Sequence, residues 1–107
     1  MQRGEAWWAE LPAPIGRRSV LLLSRDAAYR IRTSVTVAVI TRTIRNIPVE
    51  VLLGQEDGMP IGCAVNLDNI LTIPMSRLTE RIMMLSPERM TSVAKAIVFA
   101  LDLRPEI

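Results

Sequence analysis

The chain has 107 residues, half of them apolar, and a formal net charge of +2 from 13 basic and 11 acidic side chains. This length suits one compact domain, and apolar runs such as residues 19–23 and 35–40 are far shorter than the roughly 20 residues that a membrane-spanning helix needs. Because histidine is absent and Cys63 is the single cysteine, a His-based triad, a His or Cys zinc site and an internal disulfide are excluded.

The N-terminal segment, MQRGEAWWAE, has acids and tryptophans where a secretory signal would need an uninterrupted apolar stretch, so we expect a cytoplasmic protein. Residues 5–11 predict a first strand, in which Trp7 and Trp8 point to opposite faces because side chains alternate. One ring then belongs to the core, and the outward ring is more typical of a dimer contact than of a platform for a base. Pro12, Pro14 and Gly16 end this strand.

Three more strands are predicted before the middle of the chain. Residues 19–24 form a continuous apolar run, which is typical of a central strand covered on both faces. Residues 35–41 are rich in β-branched side chains, and residues 49–53 make a short fourth strand. The polar segment 26–32 predicts a helical turn or a loop, and the glycine-rich, acidic segment 54–62 predicts a loop.

The second half predicts two shorter strands and one helix. The strands cover residues 63–67 and 78–84, and Pro74 is expected to interrupt any long regular element between them. Ser86 and Pro87 predict a helix start, a hydroxyl cap followed by proline in the first turn. The apolar face of this amphipathic helix comprises Met90, Val93, Ala94, Ile97, Val98 and Leu101. The pattern favours an α+β, mainly β domain over residues 1–107, in which five to seven antiparallel strands form a bent sheet or partly open barrel on a C-terminal helix.

Basic residues are concentrated in one part of the chain. Residues 16–46 contain seven arginines and one acid, Asp26, whereas the remaining residues contain six cations and ten acids. A polyanion would therefore be drawn to one region only, and arginine suits bidentate phosphate contacts and stacking on bases. The alternative is an ordinary solvated basic surface.

Four segments in order resemble the MazF/PemK toxins of bacterial toxin–antitoxin pairs. They are RGEAWW, GRRSVLLLS, TVAVIT and LDNILTIPMSRLTERI, and the resemblance spans about residues 3–103. It implies an SH3-like barrel of the type shared with the CcdB gyrase toxins, and a homodimer. It also implies an endoribonuclease that cuts single-stranded mRNA without a metal or other cofactor, and a cognate antitoxin whose acidic C-terminal segment occupies the RNA groove.

The resemblance also assigns roles to particular residues. Arg18 matches the family's catalytic arginine, and Thr41 matches its threonine at the end of the third strand. The loops at residues 12–17 and 42–47 match the segments that flank the RNA groove. The residues expected to contact RNA are Arg17, Arg25, Arg30, Arg42, Arg45, Asp68 and Asn69.

These residue types suit cleavage of RNA by its own 2′-hydroxyl. The enzyme must hold an in-line geometry, move protons and stabilise the added negative charge, and Arg18 offers two fixed donors for that charge. A guanidinium is a poor proton acceptor, so Arg18 is a stabiliser rather than a base. The sequence departs from the family in having no acid between Glu10 and Asp26, where many members carry an assisting glutamate. The general base is therefore left open.

Two other functions remain open on the sequence alone. The same barrel could inhibit a protein target such as gyrase without catalysis, and would then depend on the C-terminal helix rather than on Arg18. A degenerate member could bind RNA or antitoxin without cutting, which fits the missing acid. Cys63 is interpreted as a small buried apolar residue rather than a nucleophile.

Overall fold

A computed structural model describes residues 1–104 of the chain. Six strands form one antiparallel sheet in the order β4-β5-β3-β2-β1-β6, and a long helix follows the last strand. The elements are β1 (Glu5–Leu11), β2 (Gly16–Leu22), α1 (Ala28–Ile31), β3 (Ser34–Thr41), β4 (Glu50–Leu53), β5 (Cys63–Pro74), β6 (Leu78–Met84) and α2 (Pro87–Ala100). This curled sheet with its C-terminal helix confirms the predicted mainly β fold and strand number.

The central strands are buried on both faces, as the apolar run in β2 predicted. Leu21 and Leu23 belong to one core cluster, which also contains Val93 of α2. Val20 and Leu22 point the other way, into a second cluster. The alternation of side chains along one strand thus divides its apolar residues between two cores.

β2 begins at Gly16, three residues before the predicted start. Its first residues pair with β1, where Arg17 lies opposite Glu10 and Arg18 opposite Ala9. The prediction was wrong here because the two arginines interrupt the apolar pattern; at these positions β2 pairs with β1 but not with β3, and both arginine side chains are exposed. Both arginines are therefore held by a regular ladder and not by a mobile loop.

β5 is the main correction to the predicted elements. It runs without a break to Pro74, whose lack of an N–H is tolerated because it is the last residue of the strand, opposite Ser34 at the start of β3. The irregularity lies earlier: Val39 pairs with Asn66 and Ala38 with Ile70, so residues 67–69 form a bulge in the β3–β5 ladder. Bulges bend a strand and redirect side chains.

Helix α2 starts as predicted. The Ser86 hydroxyl accepts the Arg89 N–H at 3.2 Å, and Pro87 occupies the first turn. The apolar face was partly wrong: Val93 and Ala96 are the buried residues, whereas Val98 and Leu101 are exposed. The buried stripe is narrow because α2 touches mainly β4 and β5. Neither helix in residues 1–104 has the length and apolar content to cross a bilayer.

Candidate nucleic-acid interface

A groove opens at the end of the sheet where β2 begins and β3 ends. It is a cavity of about 820 Å³ with both polar and apolar walls. Its cations are Arg17, Arg18, Arg42 and Arg45, and its uncharged polar residues are Ser19, Thr41, Asn66 and Asn69. The residues that line it include no carboxylate. Such a surface attracts an anion and offers it donors.

Arg18 and Thr41 meet at this groove. The last β2–β3 pair is Val20 with Val39, and the same register continued by two residues sets Arg18 opposite Thr41. Alternation places both side chains on the face that Val20 and Val39 share. The β2–β3 ladder itself ends at Val20 and Val39, beyond which Arg18 and Thr41 both line the groove. The two residues assigned to catalysis therefore face one space.

Both side chains keep donors available. Arg18 Nη1 donates to the Arg17 carbonyl at 2.8 Å, which orients the guanidinium, and no carboxylate within residues 1–104 forms an ion pair with it. The Thr41 hydroxyl oxygen accepts the Thr43 N–H at 3.1 Å, so its own hydrogen can be donated elsewhere. A phosphate in the groove could accept from both.

Arg17 is held against Trp8. The guanidinium carbon lies 4.6 Å from the centre of the indole ring, and Nη2 lies 3.9 Å from the carboxylate of Glu80. Trp8 lines the groove, whereas Trp7 packs against the second core cluster, but both rings are half-buried, so neither belongs fully to the core as the alternation predicted for one of them. Trp8 and Arg17 together form a flat, cationic wall that suits the face of a base.

The loop after β3 brings Arg42 and Arg45 to the groove. One oxygen of Glu50, Oε1, accepts the backbone N–H groups of Arg45 and Asn46, each at 2.9 Å. Asn46 has a φ of 56°, in the left-handed region that asparagine tolerates better than most residues. Glu50 therefore fixes the loop through its backbone and leaves the guanidinium groups to the groove.

The bulge in β5 separates the predicted pair Asp68 and Asn69. Asn69 lines the groove, whereas Asp68 is exposed outside it, and its N–H donates to Asn66 Oδ1 at 2.9 Å. Asn66 also lines the groove and was missed by the sequence reading. Asn66 and Asn69 are the two amides of the sequence NLDN, three residues apart. With the bulge at residues 67–69, both side chains line the groove, and this pair of amides was the sequence feature that could have indicated Asn66.

The structure does not bring Arg25 and Arg30 to the groove. They lie in the connection between β2 and β3, and because these strands are antiparallel, that connection is at the opposite end of the sheet from Arg18 and Thr41. Arg25 lines a separate cavity of about 340 Å³, and Arg30 lines neither cavity. Neither residue therefore lies beside Arg18 and Thr41, and the contact of each with RNA stays a prediction.

The loop between β4 and β5 contributes Met59, Pro60 and Ile61 to the groove, and these three residues are called its far wall. This loop is tied to α2, because Arg89 Nε donates to Asp57 Oδ1 at 2.8 Å. The hydrogen bonds from Arg89 hold the pKa of the Asp57 carboxyl below its usual value of 3.8. The far wall is thus positioned by an ion pair outside the groove.

Cys63 lies at the base of the groove and is 2% exposed. Burial raises the pKa of its thiol, so the uncharged form prevails at neutral pH. This is the small buried apolar residue that the sequence predicted. Among residues 1–104, no three Cys, Asp or Glu side chains lie close enough together to hold a metal ion.

Comparisons with known proteins agree with this geometry. The model of the family described as "PemK-like, MazF-like toxin of type II toxin-antitoxin system" matches residues 2–101. Among curated proteins, the chain is 42% identical over 101 residues to a "Probable endoribonuclease MazF5" of Mycobacterium tuberculosis, which covers 94% of this chain and 92% of that protein.

Solved structures show the same fold. "Mycobacterium tuberculosis toxin MazF-mt6" superposes with a TM-score of 0.86 and 34% identity, over 94% of this chain and 98% of that one. An "Endoribonuclease in complex with its cognate antitoxin from Mycobacterial species" superposes with a TM-score of 0.87 and 28% identity, over 99% of both chains. These relatives confirm the enzyme class predicted from the sequence, and the chain belongs to the PemK-like, MazF-like toxins of type II toxin–antitoxin systems.

Proposed function

We propose that this chain cuts single-stranded mRNA at selected sequences, by attack of a 2′-hydroxyl on the adjacent phosphorus. The observation that carries the proposal is the placement of Arg18 and Thr41 on one face, at the edge of an arginine-lined groove. The established family sets the reaction class, and the groove supplies the donors that this reaction needs.

In this reaction the 2′-oxygen bonds to phosphorus while the bond to the 5′-oxygen breaks. The 2′-hydroxyl loses its proton, the leaving 5′-oxygen gains one, and the products carry a 2′,3′-cyclic phosphate and a 5′-hydroxyl. Arg18 stabilises the phosphoryl oxygens as negative charge builds on them, and Thr41 donates to the same phosphate. Because the groove lining offers no carboxylate, we assign removal of the 2′ proton to water or hydroxide.

The same lining supports a reaction that needs no divalent cation. Four guanidinium groups already provide the positive charge that a metal would supply to the phosphate, and their charge disfavours entry of a cation. Selectivity is assigned to the amides of Asn66 and Asn69, which can both donate to and accept from base edges, and to stacking on Trp8 and Arg17.

Two partners follow from the same surface. An antitoxin with an acidic C-terminal segment would complement the four groove arginines and block access of RNA. One of the structural neighbours is an endoribonuclease solved with its cognate antitoxin. We also propose a homodimer, and a cytoplasmic location, where mRNA is available.

The test is cleavage of a long unstructured RNA by the purified protein in the presence of EDTA. Discrete fragments ending in a cyclic phosphate are expected, and Arg18→Ala should lower the rate by roughly 100-fold or more. Thr41→Val removes one donor and should have a smaller effect. Arg30→Gln is the matched control, since it removes an exposed arginine outside the groove.

Different outcomes separate the alternatives. Intact RNA with the wild-type protein, together with RNA binding that weakens steeply with salt, would identify a member that binds without cutting. Toxicity that survives Arg18→Ala would point to a protein target instead. Equal cleavage by wild type and Arg18→Ala would refute the assigned site.

A further inference from the structure

We propose that the smaller cavity, at the far end of β3, is a second phosphate-binding subsite for the same RNA, which the arginines of the β2–β3 connection provide. The inference rests on the proposed function. The cavity has a volume of about 340 Å³. It is lined by Arg25, Arg32, Ala28 and five hydroxyl side chains, those of Ser24, Thr33, Ser34, Thr36 and Thr72.

The charge of this cavity is positive and uncompensated. Neither Arg25 nor Arg32 forms an ion pair with any carboxylate within residues 1–104. The nearest acid in sequence, Asp26, is not part of the lining, and its Oδ1 accepts the backbone N–H of Arg3 at 2.7 Å. Two guanidinium groups beside one concave surface favour an anion and disfavour a metal ion or an amine.

The hydroxyl groups add donors to the same surface. Thr36 and Thr72 are directly opposed across β3 and β5, with 3.0 Å between their Oγ1 atoms. One of these hydroxyls donates to the other, so one hydrogen remains for a ligand. Ser24 Oγ accepts the Thr36 N–H at 2.9 Å and likewise keeps its own hydrogen. A phosphodiester, which offers only acceptor oxygens at its anionic centre, matches such a set of donors.

The walls of the two cavities differ in a way that favours RNA backbone over a protein segment. The groove at Arg18 has apolar walls from Ile15, Pro60 and Ile61, which could hold apolar side chains of a peptide. Ala28 is the single apolar residue in the lining of the smaller cavity. That cavity can therefore bind an anion but offers the apolar side chains of an antitoxin only Ala28 to pack against. Contacts to phosphate position a nucleic acid without reading its sequence.

Distance sets the length of RNA that would use this subsite. β3 runs from Ser34, which lines the smaller cavity, to Thr41, which lines the groove. At about 3.3 Å per residue, the two ends of the strand are about 23 Å apart. An RNA cut at Arg18 reaches the second subsite only if it extends well beyond the scissile bond, so the contribution of Arg25 and Arg32 depends on length.

The experiment compares two RNAs that share one cleavage site, a short one confined to the groove and a long single-stranded one. Each carries a 2′-deoxy sugar at the cut position so that it stays intact. Binding is measured by fluorescence anisotropy across a salt series for Arg25→Gln and Arg32→Gln. The control, Arg30→Gln, removes the same charge from the same connection at a residue that lines neither cavity.

We expect each variant of the pair to reduce the salt slope for the long RNA by about 0.7 and to leave the slope for the short RNA unchanged. Cleavage of the short, all-ribose RNA should equal that of wild type, which separates this inference from the proposed function. An equal loss with Arg30→Gln, an equal loss on both RNAs, or no loss on the long RNA would overturn the subsite. A loss seen only with an acidic peptide would also overturn it, and would assign the cavity to protein.

Discussion

Replacement of Asp57 by asparagine tests whether the far wall of the groove depends on the Asp57–Arg89 ion pair, which lies outside the groove lining. Asp57 Oδ1 accepts Arg89 Nε at 2.8 Å, and Oδ2 accepts both the Gly54 N–H at 3.0 Å and Arg89 Nη2 at 3.3 Å. The Asp57 side chain is 8% exposed. Asparagine keeps the size of the side chain but presents an NH2 group to donors, so at least one of these hydrogen bonds is lost and the others weaken.

The magnitude follows from those contacts. A hydrogen bond to a charged group contributes about 1.5–3 kcal/mol, and water can replace part of this because the Arg89 side chain is 37% exposed. We expect Asp57→Asn to lower the free energy of unfolding by about 2 kcal/mol at pH 7, which corresponds to a decrease in Tm of roughly 8–16 °C. Glu56→Gln is the matched control. Its carboxylate lies 3.8 Å from Arg89 Nη2 and is 71% exposed, so about 0.5 kcal/mol or less is expected.

The stability difference between wild type and Asp57→Asn should depend on pH in a direction set by the pKa of Asp57. Hydrogen bonds from Arg89 lower the pKa of Asp57 from 3.8, so the folded protein binds the proton less tightly than the unfolded chain does. The stabilisation is therefore fully present above the unfolded value and is lost as pH falls through the lower folded value. Urea unfolding followed by circular dichroism, at one protein concentration, should show a constant difference between wild type and Asp57→Asn from about pH 7 to 5. The difference should shrink below about pH 4. A difference under about 0.5 kcal/mol at pH 7, or one that grows on acidification, would refute the reasoning.

Two further predictions concern the groove itself. Glu50→Gln weakens the acceptor for the Arg45 and Asn46 N–H groups, so the loop that carries Arg42 and Arg45 should loosen. Steady-state cleavage should then show a KM raised several-fold with kcat little changed. An unchanged KM would contradict this prediction. Cys63 is 2% exposed, and burial raises the pKa of its thiol. A thiol reagent should therefore react at least about 100-fold more slowly with the folded protein than with the protein in denaturant. Comparable rates would show that the structure around Cys63 opens readily.

Local patterns were sufficient for two strands of the sheet and for the start of the helix. β1 and β6 have the predicted bounds because their signals are local: alternating or β-branched residues between clear turn residues. The helix start was found for the same reason, since Ser86 and Pro87 act within one turn. Arg18 and Thr41 came from the resemblance, and the β2–β3 register explains why residues so far apart in sequence occupy one groove.

β5 could not be predicted because its limits depend on a partner strand. Pro74 is harmless only because the ladder with β3 ends there, and the bulge at residues 67–69 exists only relative to that ladder. Asn66 lines the groove because it is paired with Val39, and the bulge adds Asn69 to the same groove. β3 and β5 are not consecutive in the chain, so no short turn fixes which residue of one strand lies opposite which residue of the other.

The basic segment shows that arginines clustered along the chain need not be clustered in the folded structure. Residues 16–46 are one block of seven arginines on the chain, yet they fold as strand, connection and strand, and the antiparallel turn between β2 and β3 sends the middle of the block to the other end of the sheet. Arg18 and Arg42 then line the groove to which cleavage is assigned by the proposal, while Arg25 and Arg32 line a cavity about 23 Å away. Each set of cations lines its own concave surface, so under the two proposals the sets contact different phosphates of one RNA, and only the groove arginines need to be close to the bond that breaks.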